Sequence, residues 1–180
     1  MSLLSQEVRQ KIDRELGKYP PDQKQSAVMS ALAFAQDEHG WLSTDIMDAV
    51  AGYLGMPPVA VYEVATFYTM YNTRPQGRFK ITICTNLPCA LSGANAAADH
   101  LKEKLGVGFG ETTADGKFTL KEGECMGACG DSPVLIVNDR RMCSFMSDAR
   151  LDELVGELSE AADRGEGRPG FAPHHGTHEK

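Results

Sequence analysis

Residues 74–106 read RPQGRFKITICTNLPCALSGANAAADHLKEKLG, and within them the chain changes its pattern. Phe79, Ile81 and Ile83 alternate with Arg78, Lys80 and Thr82, a period of two that predicts a strand with one apolar face. From Leu91 to Leu105 the spacing is helical, through Ala94, Ala97, Ala98, Leu101 and Leu105, and Gly106 stands where a helix ends. Between strand and helix lies Cys84-Thr-Asn-Leu-Pro-Cys89. A strand that passes through a loop into a helix is a building unit of an α/β layer.

Downstream, Asp115-Gly116 signals a turn before a second strand carrying Phe118 and Leu120. Residues 133–137, the turn Asn138-Asp139 and residues 140–144 read as a hairpin, and a last helix from about Ser147 carries Leu151, Leu154, Val155, Leu158 and Ala162 on one side. Strand, helix, strand, hairpin, helix is the order of a small thioredoxin-like α/β domain, placed at residues 76–163.

Upstream, residues 1–75 hold no cysteine and read as helices. Val8, Ile12 and Leu16 form one stripe behind Ser5; a second helix is expected over 23–38, with Ala27, Val28, Ala31, Leu32 and Ala35 on one face. A third, capped by Ser43 or Thr44, carries Ile46, Ala49, Val50, Tyr53 and Leu54, and Pro57-Pro58 opens a fourth. The fold class is therefore α+β: an N-terminal helical bundle over residues 1–75, then the thioredoxin-like domain. Residues 164–180, RGEGRPGFAPHHGTHEK, are expected to be a disordered tail.

Over 180 residues, 42% apolar and 24% charged side chains exclude a fully disordered chain or a disulfide scaffold. Eighteen Lys and Arg against 25 Asp and Glu give a net charge of -7, the wrong sign for wrapping nucleic acid or anionic lipid. No run approaches the roughly 18 apolar residues that span a bilayer, and the N-terminus has no signal-peptide pattern, so a cytoplasmic protein without membrane insertion is expected. Five cysteines, an odd number in a reducing compartment, point to use of four of them as ligands or reactive groups.

Those four are Cys84 with Cys89 and Cys125 with Cys129, each pair in a loop at a strand end. In a thioredoxin-like topology the loop after the first strand and the loop entering the third meet at one edge of the sheet, so four thiols can converge. A tetrahedral zinc site accepts four thiolates, but spacings of x4 and x3 with no x2 pair are wider than is usual for zinc. Two loops suit the two irons of a [2Fe-2S] rhomb better, each iron needing two thiolates. Such a site carries about -2 when oxidised and about -3 when reduced, so it needs N–H donors. Gly127 and Gly130 are expected to supply them and tune the potential, with Ser92 and Gly93 adding a helix start near Cys89. Glu122, Glu124 and Asp131 nearby favour a low potential by repulsion.

Other readings fare worse. A disulfide relay of thioredoxin type needs C-x-x-C, which neither pair has. Cys143 reads as a packed strand residue, and His174, His175 and His178 in the tail do not form an ordered site. Gly106-Val-Gly108-Phe-Gly110 follows a helix rather than a strand, so it is no dinucleotide loop. With no P-loop, no H-E-x-x-H and no G-x-S-x-G, the chain is expected to move electrons rather than atoms.

Tyr62-Glu-Val-Ala-Thr-Phe-Tyr-Thr-Met-Tyr-Asn72 with Arg74-Pro75, then Cys84-Thr-Asn, Cys89, Gly110-Glu-Thr-Thr113, Asp115-Gly-Lys-Phe-Thr119 and Glu124-Cys-Met-Gly-Ala-Cys129 carry a family resemblance. From about Tyr19 to Leu158 the chain resembles the thioredoxin-like [2Fe-2S] ferredoxin subunits of respiratory NADH:quinone oxidoreductase, complex I. The resemblance implies one [2Fe-2S] cluster on Cys84, Cys89, Cys125 and Cys129. It implies a partner, the flavoprotein subunit that binds FMN and NADH, among other peripheral-arm subunits on the cytoplasmic face of the membrane. It also implies that the isolated chain has no substrate site of its own. A diaphorase-type subunit of NAD-linked formate dehydrogenase or NAD-reducing hydrogenase would share every motif quoted. A zinc-stabilised interaction module is the alternative of a different class.

Overall fold

A computed structural model describes residues 3–169, and the chain folds as two compact units that part between Pro75 and Gln76. In the first unit, Ser5 caps α1 (Gln6–Leu16) by accepting the Val8 N–H at 3.2 Å, and Val8 and Ile12 are buried. The expected second helix begins later than its apolar spacing suggests. Gln23 makes no side-chain cap, so the chain enters through a 3-10 turn, Lys24–Ala27, before α2 (Val28–His39), which Gly40 ends in the left-handed region. Ser43 caps α3 (Thr44–Leu54) and Gly55 ends it. Its buried stripe is Ile46, Met47, Val50, Ala51 and Leu54. Ala49 and Tyr53, expected in that stripe, lie at its margin, where the Tyr53 hydroxyl donates to Asp13 at 2.7 Å.

Pro57 precedes α4 (Pro58–Phe67), which buries Val61 and Ala65 but leaves Val59 and Phe67 exposed. Buried Gln36 fixes the chain beyond α4: its amide donates to the Met70 carbonyl at 3.0 Å and accepts the Asn72 N–H at 2.6 Å. Both ends of that buried amide are satisfied within the unit.

The second unit is built on a four-stranded sheet in the order β2-β1-β3-β4, with β1 (Phe79–Cys84), β2 (Phe118–Gly123), β3 (Leu135–Val137) and β4 (Arg141–Cys143). β1 runs parallel to β2 and antiparallel to β3, which pairs antiparallel with β4. The period of two holds: Phe79, Ile81 and Ile83 join Phe118, Leu120, Leu135 and Val137 in one core with α6 (Ala94–Leu105) and α7 (Asp148–Asp163). The helix expected over 91–105 starts at Ala94, and a separate short helix that the spacing did not show ends at Leu91. Asn86 caps α5 (Leu87–Leu91), taking the Leu87 N–H at 3.0 Å, and Gly93 at φ +93 breaks the chain before α6.

The expected tail does not begin at Arg164. The Arg168 N–H donates to the Arg78 carbonyl at 3.1 Å, and its guanidinium reaches the Asn138 carbonyl and the Asp139 carboxylate, both at 3.1 Å. Residues 164–169 are therefore part of the described fold, and the rest of that segment, with His174, His175 and His178, lies outside the described residues.

The opposite face of β1 buries a charge. Lys80, 1% exposed, pairs with Asp139 at 2.7 Å in the hairpin turn, where Asn138 and Asp139 both take positive φ. Burial pulls the Lys80 ammonium down to about 8, against the upward pull of Asp139. The unfolded chain holds that proton up to about 10.5, so between these values it binds more protons than the folded chain and stability gains from Lys80 as pH rises. Lys80→Met is expected to remove that gain. Urea midpoints of both proteins from about pH 7.5 to 10.5 check it, and parallel curves would contradict it.

Candidate metal centre

Cys84 is the last residue of β1, and its N–H donates to the Val134 carbonyl at 3.1 Å, carrying the β1–β3 ladder one bond past Ile83 and Leu135. Cys89 sits in α5. Cys125 lies just beyond β2, and Cys129 opens a 3-10 turn, Cys129–Asp131, that leads to β3. Both loops thus lie at one end of the central strands β1 and β3 rather than at a lateral edge of the sheet, as the sequence had suggested. Cys84, Cys89, Ala94 and Val134 form a small buried cluster against which Met126 and Ala128 of the second loop pack.

Hydrogen bonds tie the loops together. Thr85 donates to Glu122 at 2.7 Å and Asn86 to Glu124 at 2.9 Å, so two of the acidic side chains expected to repel negative charge also hold the first loop to the second. The Ser132 hydroxyl meets the Cys89 sulfur at 3.2 Å and donates to the Cys129 carbonyl at 2.7 Å. Gly123 allows the close approach. A Cβ there would stand 2.7 Å from Thr82 Cγ2 and 3.0 Å from Met126 Cε, and its carbonyl accepts the Thr85 N–H at 3.2 Å.

The thiols form an inner and an outer pair. Cys84 and Cys89 are each 1% exposed, and the neighbouring Cys89 adds to the upward push on the Cys84 thiol. Cys125 and Cys129 are exposed, with sulfurs 3.4 Å apart. Two sulfurs sharing a tetrahedral metal at about 2.3 Å stand about 3.8 Å apart, so a small adjustment lets the outer pair chelate one ion. Among the described residues no three His, Cys, Asp or Glu side chains surround a single ion position. The four thiols stand as a buried pair and an exposed pair.

Burial pushes the Cys84 thiol up, while N–H groups of Asn86 and Met126 at its sulfur work the other way. The Gly127 N–H, 3.5 Å from the Cys125 sulfur, and the neighbouring Cys129 hold the Cys125 thiol down; Cys129 is pushed up by Cys125. Gly127 has φ +76, a conformation that aims this N–H and that favours glycine. Two expectations need correction. Ser92 and Gly93 direct their N–H groups to the carbonyls of Cys89 and Ala90, not to sulfur, because the chain turns there between two helices. A Cβ at Gly130 would meet nothing within 4 Å, so close approach does not account for that glycine. The donors at Asn86 and Met126 went unforeseen, since backbone amides leave no mark in residue type. Cys143 is half-buried in β4 beside the sheet core, and burial pushes its thiol up.

The chain matches the model of the family described as thioredoxin-like [2Fe-2S] ferredoxin over residues 12–159. It is 45% identical over 157 residues to an NADH-quinone oxidoreductase subunit of Rhizobium meliloti (strain 1021), covering 87% of this chain and 91% of the relative. It is 37% identical to NADH-quinone oxidoreductase subunit 2 of Thermus thermophilus, covering 82% and 81%. A crystal structure of an NAD+-reducing [NiFe]-hydrogenase in its air-oxidised state superposes with a TM-score of 0.68 at 21% identity, over 82% of this chain and 25% of that one, a likeness of fold.

In the metal-free protein at neutral pH, iodoacetamide is expected to alkylate Cys125 first and Cys84 most slowly, since the thiolate is the nucleophile. Timed peptide mapping by mass spectrometry checks the order; early labelling of Cys84 would contradict the burial pattern.

Proposed function

Since the chain belongs to the thioredoxin-like [2Fe-2S] ferredoxin family, we propose that Cys84, Cys89, Cys125 and Cys129 hold one [2Fe-2S] cluster and that the chain passes single electrons as a subunit of an NADH:quinone oxidoreductase. The observation that carries this reading is the packing of Met126 and Ala128 on Cys84 and Cys89, which brings thiols from two distant loops to one place. When bound, the cluster takes up and returns one electron at a time. The chain's own residues do the rest. Cys84 and Cys89 ligate from the buried side, Cys125 and Cys129 from the surface, and the amides of Asn86, Met126 and Gly127 offset negative charge on sulfur. The exposed outer pair gives a partner close access.

The electron donor is a flavoprotein subunit that carries FMN and oxidises NADH, a reaction for which this chain offers no residues. In this reading the assembly sits on the cytoplasmic face of the membrane, with this chain peripheral. Among the described residues no helix is long and apolar enough to cross a bilayer. Identities of 45% and 37% to NADH-quinone oxidoreductase subunits favour this assembly over an NAD-reducing hydrogenase, for which the support is likeness of fold alone.

Phe67 is 77% exposed at the end of α4, with Tyr68 stacked edge-on to it and Met70 and Val59 also exposed. An apolar patch of this kind suits a protein contact. Phe67→Asp with Tyr68→Asp is expected to weaken co-purification with the flavoprotein subunit, and undiminished recovery would count against the contact. For the cluster, Cys125→Ser is expected to lose or strongly alter the rhombic paramagnetic signal of dithionite-reduced protein. An unaltered spectrum would remove Cys125 from the ligand set.

A further inference from the structure

Ser132 brings a side-chain hydroxyl to a buried sulfur. The sulfur of Cys125 accepts the amide of Gly127 at 3.5 Å, and the backbone amides of Asn86 and Met126 work against the upward push on the Cys84 thiol. At Cys89, buried beside Val134 and Ala94, the approaching polar group is a side chain, the Ser132 hydroxyl at 3.2 Å. A hydroxyl has one proton, and here Ser132 directs it to the Cys129 carbonyl at 2.7 Å. The Cys89 thiol can then be the donor to Ser132 Oγ. Ligation removes the thiol proton, after which sulfur only accepts and the hydroxyl is the one remaining donor of the pair. A rotation about the Ser132 Cβ–Oγ bond turns its proton from the Cys129 carbonyl to the Cys89 sulfur.

We propose that, in the loaded protein, the Ser132 hydroxyl donates to the Cys89 sulfur and raises the reduction potential of the cluster. The inference rests on the ligand set proposed above. One-electron reduction places more negative charge on the sulfurs, so a donor aimed at one of them stabilises the reduced form more than the oxidised form. At a sulfur 1% exposed, bulk water does not readily take the place of the hydroxyl. Ser132 is a positioning residue as well, since the same oxygen bridges the loops of Cys89 and Cys129.

The two roles separate by experiment. Ser132 has φ -62 and ψ 148, an extended conformation that suits the residue before proline and accepts a β-branched side chain. Ser132→Thr and Ser132→Val have nearly the same shape and differ in the hydroxyl. Full-length protein loaded with its cluster is titrated while the paramagnetic signal of the reduced form is followed. Ser132→Thr is expected to titrate with the wild type. In Ser132→Val the equilibrium constant for reduction is expected to fall about threefold to tenfold, a shift of about 30–60 mV to more negative potential at 59 mV per decade for one electron. Equal potentials for Thr and Val would overturn the inference while leaving the cluster in place. Where the branched side chains do not load, Ser132→Ala gives the same reading, and failure of all three to load would show that Ser132 acts in folding instead. Absence of a signal from the wild type would overturn the ligand set itself.

Discussion

The antiparallel pairing of β1 with β3 is the constraint on which the centre depends. It sets Ile83 opposite Leu135, and the next bond of the ladder, from the Cys84 amide to the Val134 carbonyl, fixes where Cys84, the first of the proposed ligands, leaves the sheet. A slip of one residue would turn Phe79, Ile81 and Ile83 away from α6 and α7 and move Cys84 to the other face. The same pairing lays the loop after β1 beside the loop that enters β3. Burial of apolar side chains in the sheet thus positions Cys84 and Cys89, and the packing of Met126 and Ala128 on them positions the second loop.

From that constraint follows an asymmetry. The inner sulfurs lie beneath Met126 and Ala128, whereas the outer pair faces solvent and draws on the Gly127 amide. One pair of sulfurs is covered by packing, and the other is open to solvent. Glu122 and Glu124, which by charge alone disfavour an anionic cluster, also cross-link the loops through Thr85 and Asn86. The same two carboxylates thus supply negative charge and hold the segments in place.

Much of this was legible in the residues because hydrophobic periodicity is local. The alternation at Phe79–Ile83, the helix starts near Ser5 and Ser147, the cap at Ser43, and the stops at Gly40 and Gly55 each follow from a few neighbouring side chains. The four cysteines stood out because their spacing is chemical. Legibility failed where long-range geometry or backbone amides decided the matter. Nothing local showed that Asn86 would cap a short helix containing Cys89, that the Met126 amide would face Cys84, or that Arg168 would be held at the Asn138–Asp139 turn. The role of Ser132 was hidden for the same reason, since its partners are 43 and 3 residues away and meet only in the fold.

The most direct test is the metal and sulfide content of full-length protein purified without exposure to air. A centre built from two thiolate pairs requires about two irons and two acid-labile sulfides per chain, with negligible zinc. One zinc per chain with no sulfide would contradict the account, because it would mean that all four sulfurs gather round a single ion.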